Sequence, residues 1–178
     1  MGAEQAVGRL FMMPVEIRRV QAGDAEALFA MMNALDQETS FMMYEPGERP
    51  QNVERLEAAV AQAAGGEDYM AVAVDGKEIV GFLSAQRGGL RRVRHTAYIV
   101  MGVRAAYRGQ GVGTALFGGL DGWARECGVT RLELTVMQPN AAAKRLYEKH
   151  GFEAEGVRRK SMLVNGEYVD EYYMAKLL

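Results

Sequence analysis

One cysteine, Cys127, two histidines, His95 and His150, and four prolines are all that 178 residues contain of these types. A lone thiol excludes an internal disulfide, and two His with one Cys do not close a zinc site without carboxylates, so a metalloenzyme is not expected. Such a chain suits a reducing compartment, and a cytoplasmic location is expected. Charge of one sign is also missing. With 21 basic and 23 acidic side chains the formal net charge is −2, which provides no global field for nucleic acid or an anionic membrane. No run of ~18 apolar residues exists to span a bilayer. The start of the chain carries Glu4 and Arg9 among short apolar runs and has Ala6 where a myristoylation signal needs Ser or Thr, so neither a secretory core nor a lipid anchor is indicated. Internal repeats, low-complexity tracts and long linkers are lacking as well.

Glycine is in excess, at 21 of 178 residues, against a usual share of about 7%. With 49% hydrophobic and 25% charged residues, the chain reads as one globular domain able to bury roughly 70% of its unfolded surface. Residues 1–13 read as a flexible leader and 14–178 as the domain. Alternation over Val15 to Val20 predicts a strand, and Asp24 is the expected cap of a helix with Leu28, Met31, Met32 and Leu35 on one face. A loop at Phe41 to Pro50 precedes a second helix over about Asn52 to Ala64. Tyr69 to Val74 and Glu78 to Gln86 predict a hairpin turning at Asp75-Gly76, followed by a third strand, His95 to Val103. Then come a helix over about Val112 to Cys127, a strand from Arg131 to Val136, a helix from Asn140 to His150 ended by Gly151, and two strands about Asn165-Gly166. This order predicts an α/β (α+β) fold, a mixed sheet with helices on its faces.

The informative segment runs from Tyr98 to Thr114, where a buried-type strand enters the loop Arg108-Gly109-Gln110-Gly111-Val112-Gly113 and the loop opens a helix. Glycines clear the way for backbone N–H groups to converge on phosphate oxygens at the positive end of a helix, and Arg108 adds a formal charge. The dinucleotide fingerprint would need a glycine where Thr114 stands, and the Walker pattern needs a Lys followed by Ser or Thr, which is absent. A tight packing turn explains a lone glycine cluster equally well.

Arg108 to Gly113 resembles the Arg/Gln-x-x-Gly-x-Gly/Ala signature of the GNAT superfamily of N-acetyltransferases, and Asn140-Ala-Ala-Ala-Lys-Arg-Leu-Tyr147-Glu-Lys-His-Gly-Phe152 resembles its second cofactor segment. The two stand in the superfamily's order, and the likeness extends from about Val15 to Leu178. The ending Asn165 to Met174 looks like that of bacterial small-molecule and amino-acid N-acetyltransferases. The resemblance implies a mostly antiparallel sheet of about seven strands flanked by about four helices, with acetyl-CoA as donor and coenzyme A as product. It also implies that Met101, Gly102 and Val103 bind the pantetheine arm through their backbone, with Gly102 permitting a bulge or close approach. The stretch Arg108, Gly109, Gln110, Gly111, Val112, Gly113 and Thr114 would hold the pyrophosphate, and Asn140 would contact the cofactor. Bulky side chains at Gly111 or Gly113 are expected to remove cofactor binding and leave the fold intact.

Amine acetylation needs a neutral amine against a thioester carbon, a donor to the carbonyl oxygen and a proton for the departing thiolate. The resemblance makes Tyr147 that acid; from the residues alone it is core with Ala143, Leu146 and His150, and Asn140 is an N-cap. The base stays open between Glu45, His95 and a water chain, because the strand before the loop lacks the superfamily's carboxylate. Phe41 to Tyr44 and one of Tyr172 and Tyr173 are candidates for the acceptor wall. Cys127 falls on an apolar helix face, which favours direct transfer in a ternary complex over an acetyl-cysteine. The expected acceptor is a small primary amine such as an amino acid, with no nucleic acid or membrane partner and a homodimer left open. The rivals are a protein N-terminal or lysine acetyltransferase and a coenzyme A sensor without turnover. Gly118, Gly119 and Gly122 have no role at this level, since each costs about 1 kcal/mol inside a helix.

Overall fold

The computed structural model describes residues 15–178, so the expected leader at 1–13 lies outside the described residues. In chain order the elements are β1 (Glu16–Arg19), α1 (Ala25–Glu38), α2 (Glu54–Ala64), β2 (Tyr69–Asp75), β3 (Glu78–Arg87) and β4 (Thr96–Val103). They continue with α3 (Val112–Leu116), α4 (Leu120–Cys127), β5 (Arg131–Met137), α5 (Ala141–Lys149), β6 (Glu153–Val164) and β7 (Glu167–Leu177). The seven strands form one sheet in the order β1-β2-β3-β4-β5-β7-β6, and every neighbouring pair is antiparallel except β4 with β5.

Period-2 alternation divides the core between the two faces. Met70, Val72 and Val74 of β2 meet Leu28, Met31 and Leu35 of α1 and Val60 and Ala63 of α2. Tyr69, Ala71 and Ala73 meet Leu116, Leu120 and Trp123 of α3 and α4 on the other face, together with Tyr147 of α5. The central strands are thus covered on both sides, which is why β2 reads as a continuous apolar run instead of an alternating one.

Three local readings change. Asp24 stands at the N-cap position of α1 but its side chain makes no capping bond there; its carboxylate accepts from Gln21 N–H at 2.7 Å and from both Arg18 Nη atoms at 2.7 and 2.9 Å, closing a 3-10 turn at Ala22–Asp24. The first hairpin pairs Asp75 with Glu78, so its two-residue loop is Gly76-Lys77, whereas Asn165-Gly166 does form the second loop, with both residues at positive φ. The helix expected over Val112 to Cys127 is two helices. Gly118 N–H and Leu120 N–H each bond a carbonyl three residues back, and a Cβ on Gly119 would stand 2.9 Å from Tyr69 Oη. Gly118 and Gly119 therefore sit in a break where α4 turns over the Tyr69 ring, not inside a helix. Nothing in the structure explains Gly122.

The feature that positions a site is the short β4·β5 pairing. Only Thr96, Ala97 and Tyr98 pair with Arg131, Leu132 and Glu133, and beyond that vertex the two parallel strands diverge. β4 stays bound to β3 as far as Val103, and β5 to β7 as far as Met137, so each strand has an outer partner while the seam between them opens.

Candidate active site

The open seam is a cleft of about 980 Å³ that runs from the glycine loop through the split sheet to the α1–α2 side. Arg104 N–H bonds Val80 O and Gly88 N–H bonds Thr96 O, so the even-numbered residues of β4 bond to β3. Antiparallel alternation then turns the main-chain groups of Met101 and Val103 toward the seam, beyond the last β4·β5 pair, Tyr98 with Glu133. Arg108 Nε takes the Val103 carbonyl at 2.8 Å, which leaves the Met101 amide and carbonyl as free hydrogen-bonding groups of the slot. Gly102 forms no bulge in the β3·β4 register. A Cβ there would lie 2.5 Å from Leu35 Cδ1, so it admits close approach of α1.

At the loop end of the cleft, Gly109 and Gly111 hold φ of +70° and +84°, backbone that L side chains rarely adopt, with open space ahead of both. Their shared left-handed turn aims the loop's amides outward, and among the described residues the N–H groups of residues 109–114 bond to no protein acceptor. Arg108, Gly109, Gly111, Gly113 and Thr114 line the cleft. Gln110 and Val112 contribute only main chain, because the Gln110 amide donates to Ala106 O at 2.7 Å and the Val112 side chain is core. Gly113 is small for a different reason: a Cβ would stand 2.9 Å from Leu146 Cδ2 of α5. A run of unpartnered amides with open space before it and a guanidinium beside it fits a pyrophosphate.

Asn140 and Tyr147 project from α5 into the same cleft. Asn140 Oδ1 accepts from Ala143 N–H at 3.2 Å, so it is an N-cap whose amide NH₂ remains free. The Tyr147 ring is buried against Phe117 and Phe152, and burial, with Tyr98 adding to it, pushes its phenol above the ordinary value. Its hydroxyl makes no hydrogen bond among the described residues and is not sealed from the cleft, since the one sealed orphan side-chain atom there is His150 Nε2. Tyr98 Oη and Thr135 Oγ1 meet at 2.9 Å across the vertex.

The acceptor side differs from expectation. Phe41, Met42, Met43 and Tyr44 do line the cleft. Glu45 is exposed and lines a smaller adjoining groove between the α1–α2 loop and the β6–β7 hairpin. His95 precedes β4 at the closed end of the seam, exposed, where its carbonyl accepts from Thr130 and Arg131 N–H. Neither Tyr172 nor Tyr173 lines the cleft: Tyr172 packs on the α3/α4 core, and Tyr173 is exposed under the Arg158 guanidinium. Cys127 is half-buried with its thiol 3.7 Å from Gly66 O, away from the seam.

Two ionic residues not singled out from sequence are present instead. Glu171, 6% exposed, stands opposite Met137 on the face away from Tyr172 and lines the cleft. Its Oε2 accepts from Arg158 Nη1 at 3.3 Å and its Oε1 has no protein partner among the described residues. Arg49 reaches the cleft from the α1–α2 loop, bonded twice to the buried carboxylate of Asp36. No sequence signal singled out either residue: Glu171 follows Asp170 and Glu167 in the same strand, and Arg49 sits in a proline-flanked loop.

The sequence pattern of the Acetyltransferase (GNAT) family matches residues 30–152. The chain is 39% identical over 116 residues to the L-amino acid N-acetyltransferase AaaT of Escherichia coli strain K12, covering 63% of this chain and 69% of that one. Its fold superposes with a TM-score of 0.85 on an acetyltransferase of the GNAT family from Streptococcus pneumoniae, at 30% identity, over 92% of this chain and 99% of the other. A phosphinothricin acetyltransferase from Sinorhizobium meliloti, solved in complex with acetyl-CoA, superposes with a TM-score of 0.80 at 20% identity, over 93% of this chain and 89% of that one. The chain belongs to the GNAT family of acetyltransferases. It is an N-acetyltransferase, with acetyl-CoA as its donor.

Proposed function

We propose that this enzyme acetylates the α-amine of a free amino acid by direct transfer in a ternary complex. The observation that carries the reading is the placement of two proton-handling groups on opposite faces of one split seam: Tyr147 on the α5 side and Glu171 on the α1–α2 side. Acetyl-CoA would supply the acetyl group as a thioester, with coenzyme A as the thiol leaving group. The amides of residues 109–114, with Arg108, would hold its pyrophosphate, Asn140 would contact it, and the backbone of Met101, Gly102 and Val103 would line its arm. The Met101 N–H is the donor available to the thioester oxygen. Tyr147 holds the proton that the departing sulfur takes, and burial keeps its phenol protonated through the ordinary working range. Glu171 accepts the proton released by the ammonium; Glu45, standing outside the cleft, is not assigned that part. Among the described residues no cysteine lines the cleft, which supports transfer without an acetyl-enzyme. The likeness to an L-amino acid N-acetyltransferase supports the acceptor class.

The test is thiol release from acetyl-CoA across free L-amino acids and short peptides with free N-termini. Saturable turnover of free amino acids is expected. Turnover confined to peptides would overturn the acceptor assignment in favour of a protein acetyltransferase, and cofactor binding with no turnover would make the chain a sensor.

A further inference from the structure

We infer that Arg49 is the anchor for the acceptor's carboxylate, which makes the enzyme selective for α-amino acids over other primary amines. This rests on the proposed function and deepens it. Three cations line the cleft among its described residues: Arg108 at the glycine loop, Lys149 at the end of α5, and Arg49. The first two belong to the cofactor side, so Arg49 is the cation of the acceptor side.

Its guanidinium is held in place without being used up. Nε donates to Asp36 Oδ2 at 2.7 Å and Nη2 to Asp36 Oδ1 at 2.9 Å, while Asp36 itself is 3% exposed at the end of α1. One flat face rests on the Tyr44 ring at 4.6 Å. The third nitrogen, Nη1, has only the thioether of Met32 at 3.6 Å, a weak acceptor. An arginine has five N–H donors, and with two of them on Asp36 the other three stand on Nη1 and Nη2 of a side chain that lines the cleft. A fixed guanidinium with spare donors on one edge matches a carboxylate at little ordering cost.

A chain of contacts ties Arg49 to the reacting end of the seam. Met32 and Leu35 lie one turn apart on α1, and Leu35 Cδ1 is 2.5 Å from where a Cβ on Gly102 would stand. Glu171 closes the same chamber with an unpartnered Oε1. A cation and an anion with free valences on the walls of one chamber suit a zwitterion: carboxylate toward Arg49, ammonium toward Glu171.

The experiment compares kcat/KM for the best free L-amino acid with that for its amide and its decarboxylated amine, in the wild type and in Arg49→Lys and Arg49→Met. The wild type is expected to favour the acid by about tenfold to a hundredfold, carried mainly by KM, the range for a charge-assisted pair. Arg49→Met should collapse the acid/amide ratio toward one, and Arg49→Lys, which keeps the charge beside Asp36 but not the fork, should retain part of it. Equal use of acid and amide by the wild type would overturn the anchor without any variant having to fold, and so would an Arg49→Met enzyme that is slower on both with the ratio kept. Turnover of peptides alone would overturn the acceptor class and the anchor together, whereas turnover of free amino acids with no acid/amide preference overturns the anchor only.

Discussion

Tyr147 and Glu171 are two buried oxygen acids to which the proposed reaction gives opposite tasks, and their surroundings separate them. Tyr147 is enclosed by Phe117 and Phe152, which raises its phenol and keeps its proton, whereas Glu171 has Arg158 at one oxygen and the cleft at the other. Tyr147→Phe should lower kcat roughly tenfold to a hundredfold with acetyl-CoA affinity nearly unchanged, because only the transferable proton is lost. Glu171→Gln should lower kcat/KM by about a hundredfold, again with acetyl-CoA affinity nearly unchanged. Thiol-release kinetics and calorimetric cofactor binding check both; a wild-type rate in Tyr147→Phe would reduce Tyr147 to packing, and a wild-type kcat/KM in Glu171→Gln would remove the base role from Glu171. Tyr147 was legible because it falls within a motif on a helix. Glu171 and Arg49 were not, since a carboxylate in a strand and an arginine in a proline-flanked loop are usually solvated, and only the β7·β5 pairing and the buried Asp36 bring them inside.

The glycine loop shows how one motif joins two physical requirements. Gly111 is required by a left-handed φ of +84° with nothing ahead of it, and Gly113 by Leu146 of α5 at 2.9 Å from its Cβ position. Gly111→Ala and Gly113→Ala should each cost about 1 kcal/mol of stability. In a denaturant double-mutant cycle, Leu146→Ala should relieve the Gly113 substitution and not the Gly111 one; equal coupling to both would contradict this division. The sequence expectation that either position tests the cofactor with the fold intact therefore applies to Gly111 better than to Gly113.

The end of α5 adds a second element-scale consequence. His150 stacks on Phe117 with ring centroids 4.2 Å apart, and its buried Nε2 has no partner among the described residues. Burial first, then Lys176 and Lys149, holds the imidazole below its ordinary 6.5. On acidification the unfolded chain takes up this proton before the folded one, so the stability is complete above about pH 6.5 and declines as the pH falls toward the folded value. His150→Phe removes that loss. Its stability relative to wild type, from urea midpoints, should be greater at pH 5.5 than at pH 7.5, and an equal difference at both would contradict the assignment.

At the scale of the molecule, the element order and the hairpin at Asn165-Gly166 were readable from period and turn chemistry, as was the position of the glycine loop. The seam was not. Nothing in the residues from Thr96 to Val103 or Arg131 to Met137 says that pairing stops after three positions, because divergence results from β4 following β3 while β5 follows β7. The helix break at Phe117 to Gly119 was hidden for a similar reason, being set by the Tyr69 ring beneath it. In the proposed reaction the split sheet would admit the cofactor arm between strands, with Tyr147 of α5 on one face and Glu171 of β7 on the other. No helix among the described residues is long and apolar enough to cross a membrane.

Incubation of the full chain with acetyl-CoA and each free L-amino acid, with thiol release followed in time and the product identified by mass spectrometry, tests whether the enzyme acetylates free amino acids. A saturable release matched one to one by N-acetyl amino acid is the expected result. Release that yields acetylated peptide only, or acetyl-CoA binding with no acetylated product from any amine, would contradict it.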